Sequence, residues 1–220
     1  MKPLIIFGTG EIAEVADFYF KRTVERRVAA FTVDAEFIQE ERWLDRPVVP
    51  FEEIGKEFPP NGHDLFVAVS YQKMNSLREA KVAAGLAGGY RLASYVSPQA
   101  TVFTEEIGFN CFIFEDNTIQ PFVKIGNNVT LWSGNHIGHH STIEDNVFIS
   151  SHVVVSGGVS VGRNSFIGVN ATIADHVAIA PYTLIGAGAI ILENTEAEGV
   201  YVSTAAAERR KVKSTRLTKF

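Results

Sequence analysis

From position 107 to position 191 an aliphatic residue recurs every six positions without insertion or deletion: Ile107, Ile113, Ile119, Ile125, Leu131, Ile137, Ile143, Ile149, Val155, Val161, Ile167, Ile173, Ile179, Ile185 and Ile191. A helix repeats its apolar face near 3.6 residues and a strand near 2, so a strict six is the period of a repeat architecture. Two residues before most of these aliphatics stands something small or β-branched: Val123, Val129, Ser141, Val147, Val153, Val159, Ser165, Ala171, Val177, Thr183 and Ala189. This alternation marks two inward positions of a short strand. The Gly, Asn and Asp between them supply corners, as in Gly126-Asn127-Asn128, Gly162-Arg163-Asn164 and Gly186-Ala187-Gly188. Three hexapeptides closing a triangular coil make residues eighteen apart stack at about 4.8 Å, the spacing of neighbouring strands. The fifteen repeats then form about five coils.

The first hundred residues follow another pattern. Leu4-Ile5-Ile6-Phe7 is a short apolar strand, followed by Gly8-Thr9-Gly10-Glu11-Ile12-Ala13 and a stretch to about Val24 with helical apolar spacing. A second strand, 28–33, ends at Asp34. A third, 65–69, runs into Ser70-Tyr71-Gln72-Lys73-Met74-Asn75 and a helix over 76–87. The alternation predicts a small parallel sheet, an α/β domain of Rossmann-like type over 1–96, ahead of an all-β parallel solenoid over 97–204 and a basic tail over 205–220.

In Gly8-x-Gly10-x-x-Ala13, Gly8 would make the tight turn, Gly10 would let backbone amides approach a phosphate, and Ala13 would permit close helix packing. Asp34, at the end of the second strand, could hold a ribose or base. A tight turn without a ligand would use the same residues. Because a dinucleotide fold needs two such halves and this one stops near Ser97-Pro98, a mononucleotide-sized ligand fits better than NAD.

Charge and cysteine content narrow the classes. Net charge is −5, yet the last thirteen residues carry Arg209, Arg210, Lys211, Lys213, Arg216 and Lys219 against Glu208, which leaves fourteen basic and twenty-four acidic residues in 1–207. A body of net −10 argues against nucleic-acid binding. The one cysteine, Cys111, excludes a disulfide framework within the chain and is expected to point inward, two residues before Ile113. No signal-peptide pattern or membrane-span run is evident, so a cytoplasmic protein without membrane insertion is expected.

One segment breaks the solenoid's rule densely, Trp132-Ser133-Gly134-Asn135-His136-Ile137-Gly138-His139-His140-Ser141, with three of the six histidines in five residues. His136 should face outward from a strand, and His139 and His140 should lie at a corner. A metal is not expected, because His140 and His176 would stack two coils and about 9.5 Å apart, too far for one ion with ligands at about 2 Å. General-base catalysis needs only one exposed imidazole. Gly157, eighteen residues beyond His139, would stack directly on it and offer an unobstructed amide to a developing oxyanion. A corner glycine needing positive φ would look the same.

Three segments carry a family resemblance: Ile5-Ile6-Phe7-Gly8-Thr9-Gly10; Ile137-Gly138-His139-His140 with Val155-Ser156-Gly157-Gly158; and the closing Gly199-Val200-Tyr201-Val202. On these the chain resembles the two-domain hexapeptide acyltransferases that acetylate nucleotide-linked amino sugars for bacterial surface glycans. That group includes the bacillosamine-pathway N-acetyltransferase and the sialic acid O-acetyltransferase. The resemblance implies a left-handed β-helix, a homotrimer with active sites at subunit interfaces, a nucleotide sugar on the N-terminal domain, and acetyl-CoA along the solenoid. It implies His139 as general base and the Gly157 amide as donor to the acetyl carbonyl. For the nucleotide sugar it implies Gly8, Thr9, Gly10, Glu11, Asp34, Ser70 and Tyr71, with Asn135, His136 and His140 near the sugar. For the coenzyme it implies Gly157, Gly158, Ala174 and Gly186. The basic run that begins at Arg209 and Arg210, in a closing segment that departs from the family, could hold the 3′-phosphate of coenzyme A or form a solvated tail.

Departures from the family pattern are His140, where an acidic residue often follows the base, Phe148, where relatives can carry a coenzyme-binding histidine, and the absence of a proline near Ala205 or Ala206. Asn135 and Asp175 are the candidates to orient His139. The expected activity is acetyl-CoA-dependent N-acetylation of a nucleotide-linked 4-amino-4,6-dideoxyhexose. The alternatives are O-acetylation of a sugar such as sialic acid and a non-catalytic nucleotide-sensing or scaffold trimer. Phe109, Phe112, Phe114, Phe122 and Trp132, outside the inward register, are expected at the trimer contact.

Overall fold

The computed structural model describes residues 1–203. Strand β1 (Leu4–Phe7) leads through Gly8-Thr9-Gly10 into helix α1 (Glu11–Arg22), then β2 (Val28–Val33). A tight hairpin follows, β3 (Arg42–Trp43) and β4 (Arg46–Pro50), which the apolar pattern did not predict. One helical turn, α2 (Ile54–Glu57), precedes β5 (Asp64–Val67), helix α3 (Ser76–Ala87) and β6 (Arg91–Leu92). The sheet order is β3-β4-β2-β1-β5-β6, parallel except for the hairpin. Leu4, Ile5 and Ile6 are wholly buried because both faces of the central strand are covered, as expected for a parallel sheet.

The solenoid begins with β7 (Tyr95–Val96), which already pairs with Phe112–Ile113, two residues ahead of the expected boundary. From there two-residue strands wind around three faces. The first runs through Phe112–Ile113, Thr130–Leu131, Phe148–Ile149, Phe166–Ile167 and Leu184–Ile185 to Val200–Tyr201. The second runs from Thr101–Val102 to Ile190–Ile191, and the third from Lys124–Ile125 to Ala178–Ile179. The register is eighteen: Ile119 pairs with Ile137, Ile137 with Val155 and Val155 with Ile173. The first repeat is irregular, with Ile107 making a single bridge to Ile125. The aliphatic at each sixth position and the small residue two before it line one continuous interior, and Cys111 lies in it, fully buried. Burial pushes the Cys111 thiol up to about 11, so it is a packed, unreactive group.

Each corner turns through one left-handed residue, three positions after the inward aliphatic: Asn110, Asp116, Phe122, Asn128, Gly134, His140, Asn146, His152, Gly158, Asn164, Asn170, His176, Tyr182 and Gly188. Asn and Gly tolerate this conformation best, which is why they punctuate the repeat. The fold is the left-handed parallel β-helix behind a small α/β domain.

The α/β domain sits on the first face, and this corrects the expected role of the solenoid's outward aromatics. Phe112 and Phe114 are 3% and 2% exposed because they pack against α1 and Tyr95 of the same chain. Trp132 stacks on Phe114, and Phe109 lies against the other side of the sheet. Phe122 alone of the five is exposed, at 67%. Polar groups lock the joint. Asn110, Asn128, Asn146 and Asn164 form a buried ladder of side-chain amides, tied to β5 through Val67 and to α3 through Glu79. Arg78, fully buried, reaches Thr130 and the carbonyls of Asn146 and Val147, and desolvation lowers its pKa to about 10. Among the described residues no helix is long and apolar enough to cross a membrane.

Candidate active site

The glycine turn after β1 opens a cleft of about 780 Å³ at the carboxyl ends of the parallel strands. Gly8 has φ +126°, and a Cβ there would lie 2.7 Å from the Ala68 carbonyl oxygen and 3.2 Å from the Ala13 Cβ, so only glycine fits. Gly10 caps α1 with open space around it. The cleft is lined by Gly8, Thr9, Gly10, Glu11, Asp34, Ser70 and Tyr71, so the structure brings together all seven residues read from the sequence as its ligands. Sequence reasoning missed Lys81. It projects from α3 to Asp34 at 2.5 Å and lies over the rings of Phe7 and Phe51. A lysine spaced for a helix face carries no signal of its own, and only the packing of α3 against β5 and β6 aims it at the end of β2. Phe37 and Trp132 close the rim, the latter contributed by the solenoid.

His139 and His140 lie elsewhere, at the corner between the second and third faces, which is the edge the covered first face does not touch. Both are exposed. His139 Nδ1 lies 3.1 Å from His140 Nδ1. Neither Asn135 nor Asp175 orients the imidazole. Asn135 is 1% exposed, accepting the Val153 amide at 2.8 Å and donating to the Trp132 carbonyl, which withdraws it from any sugar contact. Asp175 accepts the Gly157 amide at 2.9 Å.

Gly157 stacks one coil above His139, and a Cβ on it would lie 2.7 Å from Cε1 and 2.9 Å from Nε2 of the ring. Its backbone φ is ordinary, and the left-handed residue is Gly158 at +66°. Glycine at 157 is therefore a matter of space for the imidazole. The amide expected to face an oxyanion is occupied by a carboxylate. The same device recurs at other corners, where Asp145 takes the Asn127 amide and Gln120 takes that of His139.

His136 faces outward from the second face, half-buried between Thr118 and Val154. Gly158 and Ala174 share the His139 edge, whereas Gly186 sits at the corner between the first and second faces, under Tyr201 and Val202. Arg209 and Arg210 lie outside the described residues. Phe148 is buried beside Tyr71, Phe166 and Arg78, at the joint between the domains.

Residues 122–157 and 140–175 match the family model of the bacterial transferase hexapeptide (six repeats), which overlaps the segment with the three clustered histidines. No curated protein matches the chain significantly in sequence. Solved structures share the fold over nearly the whole length. PerB from Caulobacter crescentus, in complex with CoA and GDP-perosamine, is 24% identical with a TM-score of 0.81, covering 94% of this chain and 97% of its own. The acetyltransferase domain of PglB from Neisseria gonorrhoeae, in complex with acetyl coenzyme A, is 20% identical with a TM-score of 0.75, covering 91% and 93%. WeeI from Acinetobacter baumannii is 17% identical with a TM-score of 0.72, covering 94% and 99%.

Proposed function

We propose that this chain is an acetyl-CoA-dependent N-acetyltransferase acting on a nucleotide-linked amino sugar, a 4-amino-4,6-dideoxyhexose in bacterial surface-glycan biosynthesis in the cytoplasm, and that it works as a homotrimer. The observation that carries this reading is His139. It is an exposed imidazole on a rigid edge, with Nδ1 occupied by its neighbour and Nε2 beside a glycine, and with no other hydrogen-bond partner among the described residues. Structures with the same two-domain fold bind CoA with GDP-perosamine, or acetyl coenzyme A, which supports the choice of substrates.

The chemistry follows from the groups present. The cleft at the glycine turn takes the nucleotide, with the α1 N-terminus toward its phosphates and Asp34, held by Lys81, toward ribose or base. The sugar amine attacks the thioester carbonyl. A C–N bond forms, the C–S bond breaks, and the amine proton passes through His139 Nε2 to the departing thiolate. The Gly157 amide exchanges Asp175 for the acetyl oxygen as charge develops there.

Cleft and base lie on different sides of one solenoid, and one coil side of six residues extends up to about 20 Å. A three-fold assembly would bring the edge of one subunit to the cleft of the next. Exposed apolar groups on and beside the second face, Phe103, Val154, Ile190 and Leu192, support such a contact.

An imidazole at position 140 brings no negative charge to the base, as a carboxylate would. That suits an amine, which is nucleophilic once deprotonated, better than a sugar hydroxyl. The test supplies acetyl-CoA with a panel of nucleotide-linked amino and hydroxy sugars and follows thiol release. Replacement of His139 by alanine is expected to lower turnover about 10²-fold to 10⁴-fold. A lack of thiol release with every sugar of the panel would favour the scaffold or sensing reading instead.

A further inference from the structure

The left-handed corner position is filled in most coils by Asn, Gly or His, and a bulky residue there is strained. Phe122 is such a residue, at φ +66°, and its side chain is 67% exposed, so core packing does not explain it. It stands one coil below His140. Their ring centroids are 4.7 Å apart with planes inclined by 36°. His140, itself at φ +60°, has its Nδ1 3.1 Å from that of His139. The strained aromatic thus backs one imidazole, which in turn meets the other through Nδ1.

We propose that His140, backed by the Phe122 ring, is the positioning residue of the site: its unprotonated Nδ1 accepts the Nδ1 proton of His139. This proposal rests on the reading of His139 as the base. Two facing Nδ1 atoms at 3.1 Å form a hydrogen bond only if one carries a proton and the other a lone pair. With the proton on His139, its Nε2, beside Gly157, is left as the acceptor the base role requires. When His139 takes that proton, the shared hydrogen bond restricts the geometries the ring can adopt without moving charge onto His140. The neighbours of the pair are few. One coil below stand Gln120 and Phe122, neither titratable, and one coil above stand Gly157 and Gly158. Asp175 and His176 follow two coils up, the former on the Gly157 amide and the latter with its ring against Gly158. His136 and Thr142 lie on the strands entering and leaving the corner. No carboxylate is in hydrogen-bond contact with either imidazole among the described residues, so the partner's lone pair sets the tautomer.

Three measurements test this. In the unmodified chain, ¹⁵N–¹H correlation of the imidazoles above their titration range is expected to show His139 protonated on Nδ1 and bare on Nε2. The opposite tautomer overturns the proposal. The substitution His140→Gly keeps the left-handed turn, as Gly134, Gly158 and Gly188 do in other coils, and is expected to lower kcat about 10-fold to 100-fold with KM little changed. His140→Glu is expected to restore most of kcat and to move the acid limb of the kcat/KM profile up by about one pH unit, because a carboxylate beside an imidazolium raises its pKa. A purely structural role for His140 predicts the reverse order, with glycine tolerated and glutamate harmful. If His139→Ala remains active, the base reading itself falls. If His139→Ala is inactive while His140→Gly turns over like the unmodified chain, only the pairing falls.

Discussion

At the residue scale the site turns on what stands above and beside one imidazole. Gly157 was legible as the residue stacked on His139, since counting eighteen needs no structure. Its reason was not, because ring placement and amide occupancy depend on rotamers the sequence does not display. A Cβ at position 157 would come within 2.7 Å of His139 Cε1, which gives a sharp expectation for Gly157→Ala. The backbone φ suits alanine, and the obstacle is the movable end of a side chain, so stability should change by less than about 1 kcal/mol. The displaced imidazole should cost about 10²-fold in turnover. Thermal unfolding and thiol release on the same sample separate the two effects, and an alanine variant with normal turnover would show that ring placement over Gly157 is irrelevant. His140, read from the sequence as a sugar ligand, and Asn135, read as a ligand or orienting group, illustrate the limit. One is engaged with its neighbour, and the other is spent on holding its own corner.

At the element scale, strands of two residues succeed because every coil repeats the same inward pair and the same left-handed corner. A periodic pattern is the kind of information a sequence shows openly. The outward positions are ambiguous for a physical reason. Phe112 and Phe114 present the same apolar side chains whether they meet a second subunit or the chain's own first domain, and the structure shows the latter. The hairpin β3–β4 is equally hidden, since β3 has only two residues and Pro47 and Pro50 argue against a strand at β4.

Strand β5 carries a testable charge. Asp64 is wholly buried; burial alone would raise its pKa, but hydrogen bonds from Arg91 and Arg26 outweigh that and hold it below the usual carboxylate range. A carboxyl depressed in the folded state contributes stability that is complete above its unfolded pKa of about 3.9 and is lost as pH falls through the folded value. Denaturant titrations should therefore show stability falling below about pH 4. Asp64→Asn should remove that portion of the slope and cost about 3–5 kcal/mol at neutral pH, because Arg26 is left buried without its counter-charge. An unchanged acid slope in the variant would contradict this assignment.

At the scale of the whole molecule, the two domains are joined by the asparagine ladder, Arg78 and the aromatic cluster around Tyr19. The cleft and the His139 edge lie apart within one chain, which makes assembly part of the proposed function. Native mass measurement is expected to give about three times the 24.1 kDa of the chain. Co-expression of a His139→Ala chain with a cleft variant such as Lys81→Glu should regain activity that neither shows alone. A fully active monomer would refute the shared site.

Whether His139 is the base of an acetyl transfer to a nucleotide-linked amine is read from thiol release by acetyl-CoA in the presence of nucleotide-linked 4-amino sugars, comparing the unmodified chain with His139→Ala at saturating coenzyme. Sugar-dependent turnover is expected to fall about 10²-fold or more in the variant while nucleotide-sugar binding persists. Equal turnover in the two proteins would rule out His139 as the base.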